Sequence, residues 1–360
     1  MRPGDDRRVI EALSARYNAP NVLLTNSGTS ALILALTSTR RSGGTVALPG
    51  YGCVDLTAAA IGAGMKVRLY DLDPRTLSPD LDSVRGVLAR GVDALVVAHL
   101  YGYPADVPGV QGLADEHGVR VIEDAAQAAG GSLNNRLLGS LGDTSILSFG
   151  RGKGMTAGGG GALLARTAEL AERMTPLHDE LGAASSGALA LVTLAAQSML
   201  ARPSLYRLPA SLPGLKLGEM VYKPPRAARS LPAASAALLL SALAMDDAEV
   251  KRRQQTASRL LDILSRSNAL QAVRAIVCGK SGYLRLAAVD TRGGKLAHRS
   301  IGAVRGYPLT LGEHPQLQSR LLPGERAGKG SETLRNKLFT LPTHSRVTDA
   351  DLARLDAWAN

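Results

Sequence analysis

Aromatic rings are scarce in this chain. One Trp, two Phe and nine Tyr leave the aromatic share at 3% of 360 residues, so Ala, Leu and Val must fill most of the interior. Thiols are scarcer still. Two cysteines, Cys53 and Cys278, form neither a disulfide framework nor a cysteine zinc site. His178, His298, His314 and His344 share no metal-ligand spacing, so no metal is expected. Charge of one sign is nowhere gathered, although 42 Lys and Arg against 31 Asp and Glu give a net +11. No basic run is interleaved with aromatics as a single-strand platform requires, so nucleic acid is not an expected partner. A dispersed basic surface suits anionic small molecules instead. The opening stretch MRPGDDRRVIEALSARY lacks the apolar segment of a signal peptide, and with so few thiols the expected compartment is the cytoplasm.

Long apolar runs are missing except for two uncharged stretches, 181–201 and 230–245. The first carries Gly182, Ser185, Ser186, Gly187, Thr193, Gln197 and Ser198, too polar for a membrane span. Buried helices, at a subunit interface, are the expectation. A membrane-surface hairpin is the alternative, because basic residues such as Arg202, Arg207 and Lys216 lie between the two stretches.

What is present describes an α/β protein. At 45% hydrophobic and 20% charged, the chain has the balance of a globular fold, and its length suggests about two domains. We place them at 1–245 and 246–360. Val/Ile/Leu-rich runs at Val46–Leu48, Val67–Asp71, Ala94–Leu100, Arg120–Asp124, Thr144–Phe149 and Ala162–Ala165 read as strands. Helical patterns alternate with them at Gly28–Ser38, Val54–Gly62, Asp80–Ala89 and Val107–His117. That alternation predicts a parallel sheet covered on both faces, with a ligand beyond the carboxyl ends of the strands. A long helix is expected over Asp246–Arg266, then strands near Ala272–Cys278 and Tyr283–Val289 in a smaller C-terminal α/β unit.

Three segments carry chemistry. Lys153 lies on the loop after the strand closed by Phe149, and the run Gly158–Gly161 lets backbone approach a ligand there. Asp124 ends an apolar strand. It reads either as a carboxylate held for a cationic ring nitrogen or as a plain cap before Ala125-Ala126-Gln127. Thr25-Asn26-Ser27-Gly28-Thr29-Ser30 opens an apolar helix, which makes a phosphate cradle or simply a capped helix start. An anion cradle, a carboxylate and a lysine amine together are the requirements of pyridoxal phosphate. The dinucleotide alternative fails, because no Gly-x-Gly-x-x-Gly turn or Walker lysine motif is present.

The segments Asn26–Leu32, Glu123–Ala128 and Ser148–Gly161, with His99–Gly102 and Leu341–His344, resemble the DegT/StrS family of pyridoxal-phosphate-dependent sugar aminotransferases. The resemblance implies the aspartate aminotransferase fold (fold type I) and a homodimer. It also implies Lys153 as the Schiff-base lysine, Asp124 at the pyridine nitrogen and Gln127 near the phenolic oxygen. Gly28, Thr29, Ser30 and Ser148 are implied around the phosphate. Family members acting as dehydratases carry His at the lysine position, so Lys153 favours transamination. The chain departs from the family where Cys53 replaces the aromatic that stacks on the cofactor, with Tyr51 as a partial substitute, and where Gly159 replaces a Glu. It departs again where Pro225-Arg226-Ala227-Ala228-Arg229 stands for a Gly-Tyr-Asn-Tyr-Arg segment, and the arm before the cradle is shorter than usual. The expected activity is transfer of an amino group from an amino acid, glutamate, to a nucleotide-linked keto-sugar. The alternatives are another pyridoxal-phosphate reaction (elimination, decarboxylation or replacement) and an idle family member acting as a regulator or complex partner. His99 reads as a packing residue and Cys53 as a small hydrophobe.

Overall fold

The computed structural model describes residues 4–39, 44–179, 181–185, 187 and 221–360. Helix α1 (Asp5–Tyr17) leads into β1 (Asn21–Thr25), α2 (Gly28–Thr39), β2 (Thr45–Pro49), α3 (Val54–Gly62) and β3 (Lys66–Tyr70). Then come α4 (Leu81–Ala89), β4 (Ala94–Ala98), α5 (Val107–Asp115), β5 (Arg120–Asp124), a small hairpin β6 (Ser132–Leu133) and β7 (Arg136–Leu137), β8 (Thr144–Ser148) and β9 (Gly161–Ala165). Up to β9, the expected strands and helices are all present within a residue or two. β1 and α1 were not anticipated: the run Val22-Leu23-Leu24 is short, and α1 is polar on most of its surface.

Seven strands form one sheet in the order β1-β9-β8-β5-β4-β2-β3. The β2, β3, β4, β5 and β8 pairings are parallel, and β9 is antiparallel to both β8 and β1. The sheet is therefore mixed, with one antiparallel edge on a parallel body. Both faces are buried, which explains the unbroken apolar strands. Successive side chains divide between the faces: Val96, Ile122 and Ile146 pack under α2 and α3, whereas Leu95, Val97 and Val121 pack under α4 and α5. Leu24, Leu147 and Leu164 meet α1 and the helix described next.

After α6 (Ala168–Asp179), the next helix among the described residues is α7 (Ala233–Ser265), 33 residues and about 50 Å long at 1.5 Å per residue. It starts before the expected Asp246 and runs unbroken through residues 245 and 246. Its N-terminal half, including Ala236 and Leu239, packs on the first sheet. Its C-terminal half, with Ala257 and Leu260, covers a four-stranded antiparallel sheet. This burial accounts for the uncharged residues of 233–240, whereas Ser241, Ala244 and Met245 are exposed; most of the stretch 181–201 lies outside the described residues. Among those described, no helix is long and apolar enough to cross a membrane.

The second sheet has the order β10-β12-β14-β13, from β10 (Leu270–Ala272), β12 (Leu286–Asp290), β13 (Val304–Arg305) and β14 (Leu338–Leu341). The strand expected over Ala272–Cys278 is only β10, because the chain leaves the sheet after Ala272. It then turns at Cys278, whose φ is +60°, into β11 (Gly279–Lys280), which pairs with β6. Helices α8 (Lys329–Lys337) and α9 (Asp349–Ala359) complete this part.

Candidate active site

Strand β5 ends on two carboxylates, and strand alternation sends them to opposite faces. Glu123 is fully buried. It accepts hydrogen bonds from the amides of Gly139, Leu141 and Gly142 and from Ser145 Oγ, at 2.5–3.0 Å. His99 supplies a fifth at 2.9 Å. Because His99 Nδ1 accepts from the Ala105 amide at 3.0 Å, its proton resides on Nε2, facing Glu123. Burial alone would raise the Glu123 pKa, but His99 and the amides outweigh it and hold the carboxyl at about 2. His99 is thus a packing residue, as expected.

Asp124 is half-buried in the middle of the sheet, between Ala98 of β4 and Ile146 of β8. Its Oδ1 accepts from the Ala126 amide at 2.9 Å, so the capping contact exists, yet the following residues form a turn. Its Oδ2 has no hydrogen-bond partner among the described residues. Burial raises the carboxyl above its ordinary range; Lys153 pulls it down and Asp55 pushes it up.

Lys153 is half-buried on the loop joining β8 to β9. The loop is tied by Thr156 Oγ1 donating to the Lys153 carbonyl at 2.9 Å and by the Ala157 amide donating to the Phe149 carbonyl. Cys53, at the N-cap of α3, feels both groups. Burial pushes its thiol up to about 12, with Asp55 and Asp124 raising it and Lys153 lowering it. Lys153, Asp124, Cys53 and Asp55 therefore lie near one another at the carboxyl ends of β2, β5 and β8. Asp55 was not anticipated. It follows Cys53 at the start of α3 and accepts from Sγ at 3.6 Å.

The cradle abuts the carboxyl end of β8. Ser27 Oγ caps the Ser30 amide at 3.0 Å, and the first-turn amides of α2 lie outside the helix's own hydrogen bonding. Gly28 abuts Ser148 so closely that a Cβ on Gly28 would stand 2.7 Å from the Ser148 Cβ. A Cβ on Gly161 would stand 2.5 Å from the Gly28 amide nitrogen. Thr29 is half-buried and Ser30 buried. Arg229 runs alongside: the Asn26 amide donates to its carbonyl at 2.8 Å. The segment expected to replace the family's Gly-Tyr-Asn-Tyr-Arg thus borders this chain's own cradle.

Gln127 is held through its amide. Oε1 accepts from the Tyr101 amide at 3.0 Å, and Nε2 donates to Tyr307 Oη at 2.7 Å. Tyr307 stacks on Tyr101 with ring centres 5.2 Å apart, and its own amide donates to Tyr51 Oη at 2.7 Å. Tyr51 is fully buried, with its hydroxyl committed to that contact. Tyr307 comes from 180 residues further along the chain, and no local signal marked it. Among the described residues, no cluster of His, Cys, Asp and Glu could hold a metal.

The residues present fit pyridoxal phosphate. A half-buried carboxylate with one oxygen open, an amine on a tied loop and a helix start too tight for any side chain at Gly28 are what its ring nitrogen, aldehyde and phosphate need.

Known proteins place the chain. It is 37% identical over 174 residues to the L-glutamine:2-deoxy-scyllo-inosose aminotransferase of Streptoalloteichus tenebrarius, covering 48% of this chain and 41% of the relative. It is 36% identical over 155 residues to the UDP-N-acetyl-3-dehydro-alpha-D-glucosamine 3-aminotransferase of Acidithiobacillus ferrooxidans, covering 42% of each. The match thus spans about two-fifths of the length of these relatives. In fold it is similar to S. venezuelae DesV (TM-score 0.79, 23% identity, 99% of this chain and 88% of that one). It is also similar to a DegT DnrJ EryC1 StrS aminotransferase from Brucella abortus (TM-score 0.76, 21% identity, 100% and 90%). The expected fold, a pyridoxal-phosphate transferase of type I, is the one observed. The family profile matches residues 4–193, more than half of the chain. The chain belongs to the DegT/DnrJ/EryC1/StrS aminotransferase family.

Proposed function

We propose that this chain is a pyridoxal-phosphate-dependent aminotransferase working as a cytoplasmic homodimer, with the large unit in residues 1–245 and the small one in 246–360. It moves an amino group from an amino-acid donor to a keto group on a sugar or cyclitol. The observation that carries this is the placement of Asp124 at the carboxyl end of β5 and of Lys153 on the loop after its parallel neighbour β8, near enough to act on each other's charge, beside the closely packed Gly28 and Ser148. The relatives' names favour a ring-shaped keto acceptor, one with a nucleotide and one without.

When bound, pyridoxal phosphate supplies an aldehyde that exchanges nitrogen and a ring that accepts electrons. The amine of Lys153 would hold the aldehyde carbon and, once displaced by the donor, move a proton at Nζ as general base and acid. Asp124 Oδ2 would accept from the ring's N–H; that cation relieves the burial that now raises its pKa. The first-turn amides of α2 and the hydroxyls of Thr29, Ser30 and Ser148 would take the phosphate. Gln127, fixed through Tyr101 and Tyr307, keeps one N–H for the phenolic oxygen.

The test is spectroscopic. Protein loaded with pyridoxal phosphate should show a visible band that bleaches with L-glutamate as 2-oxoglutarate appears. Lys153→Ala should lose the borohydride-reducible link to the cofactor, and Asp124→Asn should slow bleaching by at least about 100-fold. A band that glutamate and glutamine both leave unchanged would refute transamination.

A further inference from the structure

One face of the second sheet turns toward the first. Ala287 and Val289 of β12 point that way and pack with Tyr101 and Tyr307, whereas Leu286 and Ala288 pack on the other face with α7 and α9. Arg285, one residue before β12, shares the inner face by alternation. Its Nε donates to Thr340 Oγ1 at 2.8 Å, and its Nη2 donates to the carbonyls of Gly302 and Thr340 at 2.7 and 3.0 Å. Three bonds fix the guanidinium plane. Nη1 makes no hydrogen bond among the described residues, yet it is not one of the sealed polar atoms. Among the described residues no carboxylate acts on the group. Burial lowers the guanidinium to about 10 and the Tyr101 phenol pulls it back up, while His344 is its other titratable neighbour.

A desolvated guanidinium without an anion is costly, and such groups persist where an anion arrives. Arg285 stands close to the reaction centre. Its amide donates to the Tyr101 carbonyl at 3.3 Å, and the Tyr101 amide donates to Gln127 Oε1. A single residue separates it from the side chain assigned to the phenolic oxygen.

We propose that Arg285 is the anchor for the carboxylate of the amino-acid donor, with Nη1 as the binding nitrogen; this rests on the aminotransferase reading above and deepens it. The charges favour a carboxylate over a diphosphate. One fixed cation with one open nitrogen balances a single negative charge, and the neighbouring His344 is kept toward its neutral form by burial and by Arg285 itself.

The test uses the full chain, with and without pyridoxal phosphate. Calorimetric titration with 2-oxoglutarate is read beside the glutamate concentration that half-saturates bleaching of the visible band. Arg285→Gln should weaken both by about 10- to 100-fold, the loss of a charge-assisted hydrogen bond, with cofactor affinity and saturating bleaching rate held within about threefold. Thr340→Val keeps the cation and removes the Nε anchor, so it should weaken both by about fivefold. It also stands in should Arg285→Gln fail to melt cooperatively. A variant that binds 2-oxoglutarate as the wild type does overturns the anchor. Arg285-dependent binding of 2-oxoglutarate by a protein that takes up no pyridoxal phosphate supports the anion site and overturns the aminotransferase reading alone.

Discussion

Replacing Glu123 by Gln tests how the end of β5 is held. The wild-type carboxylate accepts five hydrogen bonds, from three amides, Ser145 and His99, in a site closed to water. A glutamine of the same shape turns one acceptor oxygen into an NH2 that faces existing donors, so at least two bonds are lost and N–H groups are left stranded. Holding the carboxyl at about 2 instead of its ordinary 4.5 corresponds to on the order of 3 kcal/mol. Since the folded pKa is the depressed one, that contribution is complete above the unfolded value and disappears as pH falls through the folded value. About 1 kcal/mol should be gone by pH 4 and nearly all by pH 2. Urea unfolding followed by circular dichroism at a series of pH values reads this directly. Glu123→Gln should be less stable than wild type by on the order of 3 kcal/mol at pH 7, and the two stabilities should converge as the medium is acidified. A variant within about 1 kcal/mol of wild type at pH 7, or a gap that stays constant with pH, would refute this account of Glu123.

Two other outcomes follow from the candidate site. Cys53, with its thiol pushed up to about 12, should resist iodoacetamide at pH 8 while exposed Cys278 reacts, as peptide mass spectrometry would show; equal labelling would contradict the burial of Cys53. Gly28→Ala puts a Cβ 2.7 Å from the Ser148 Cβ, so the helix start and β8 must part. Stability should fall by about 1–3 kcal/mol, and the dissociation constant for pyridoxal phosphate, from fluorescence titration, should rise at least about tenfold. Unchanged cofactor affinity would remove Gly28 from the cradle.

Most of the first sheet was legible because period and punctuation are strong there. Apolar runs bounded by Gly, Pro and Asp mark buried parallel strands, and Val54–Gly62 and Arg120–Asp124 coincide with the observed elements. The second sheet was harder to read. Its strands pair antiparallel with partners 16 to 55 residues away, and the apolar run Ala275-Ile276-Val277 ends in an exposed turn that a periodicity argument reads as strand. The extent of α7 was hidden because its first 13 residues carry no charge and no polar face to set a helical period, a pattern that suggests burial without saying against what.

By itself the sequence determined the order of the chemical parts: a helix start of small and hydroxyl residues at Thr25–Ser30, a carboxylate pair at Glu123 and Asp124, and an amine at Lys153. These are local matters, set by which residue types end a strand or open a helix. Tertiary structure decided which carboxylate does what. Alternation separates Glu123 from Asp124, but only the packing of the 139–145 segment and His99 against one face makes that face the sealed one, leaving Asp124 on the other. The approach of Tyr307 to Gln127, and of Arg285 to Tyr101, was likewise settled by how the second sheet lies on the first. Contacts between residues more than 150 positions apart leave no periodic trace in a single chain.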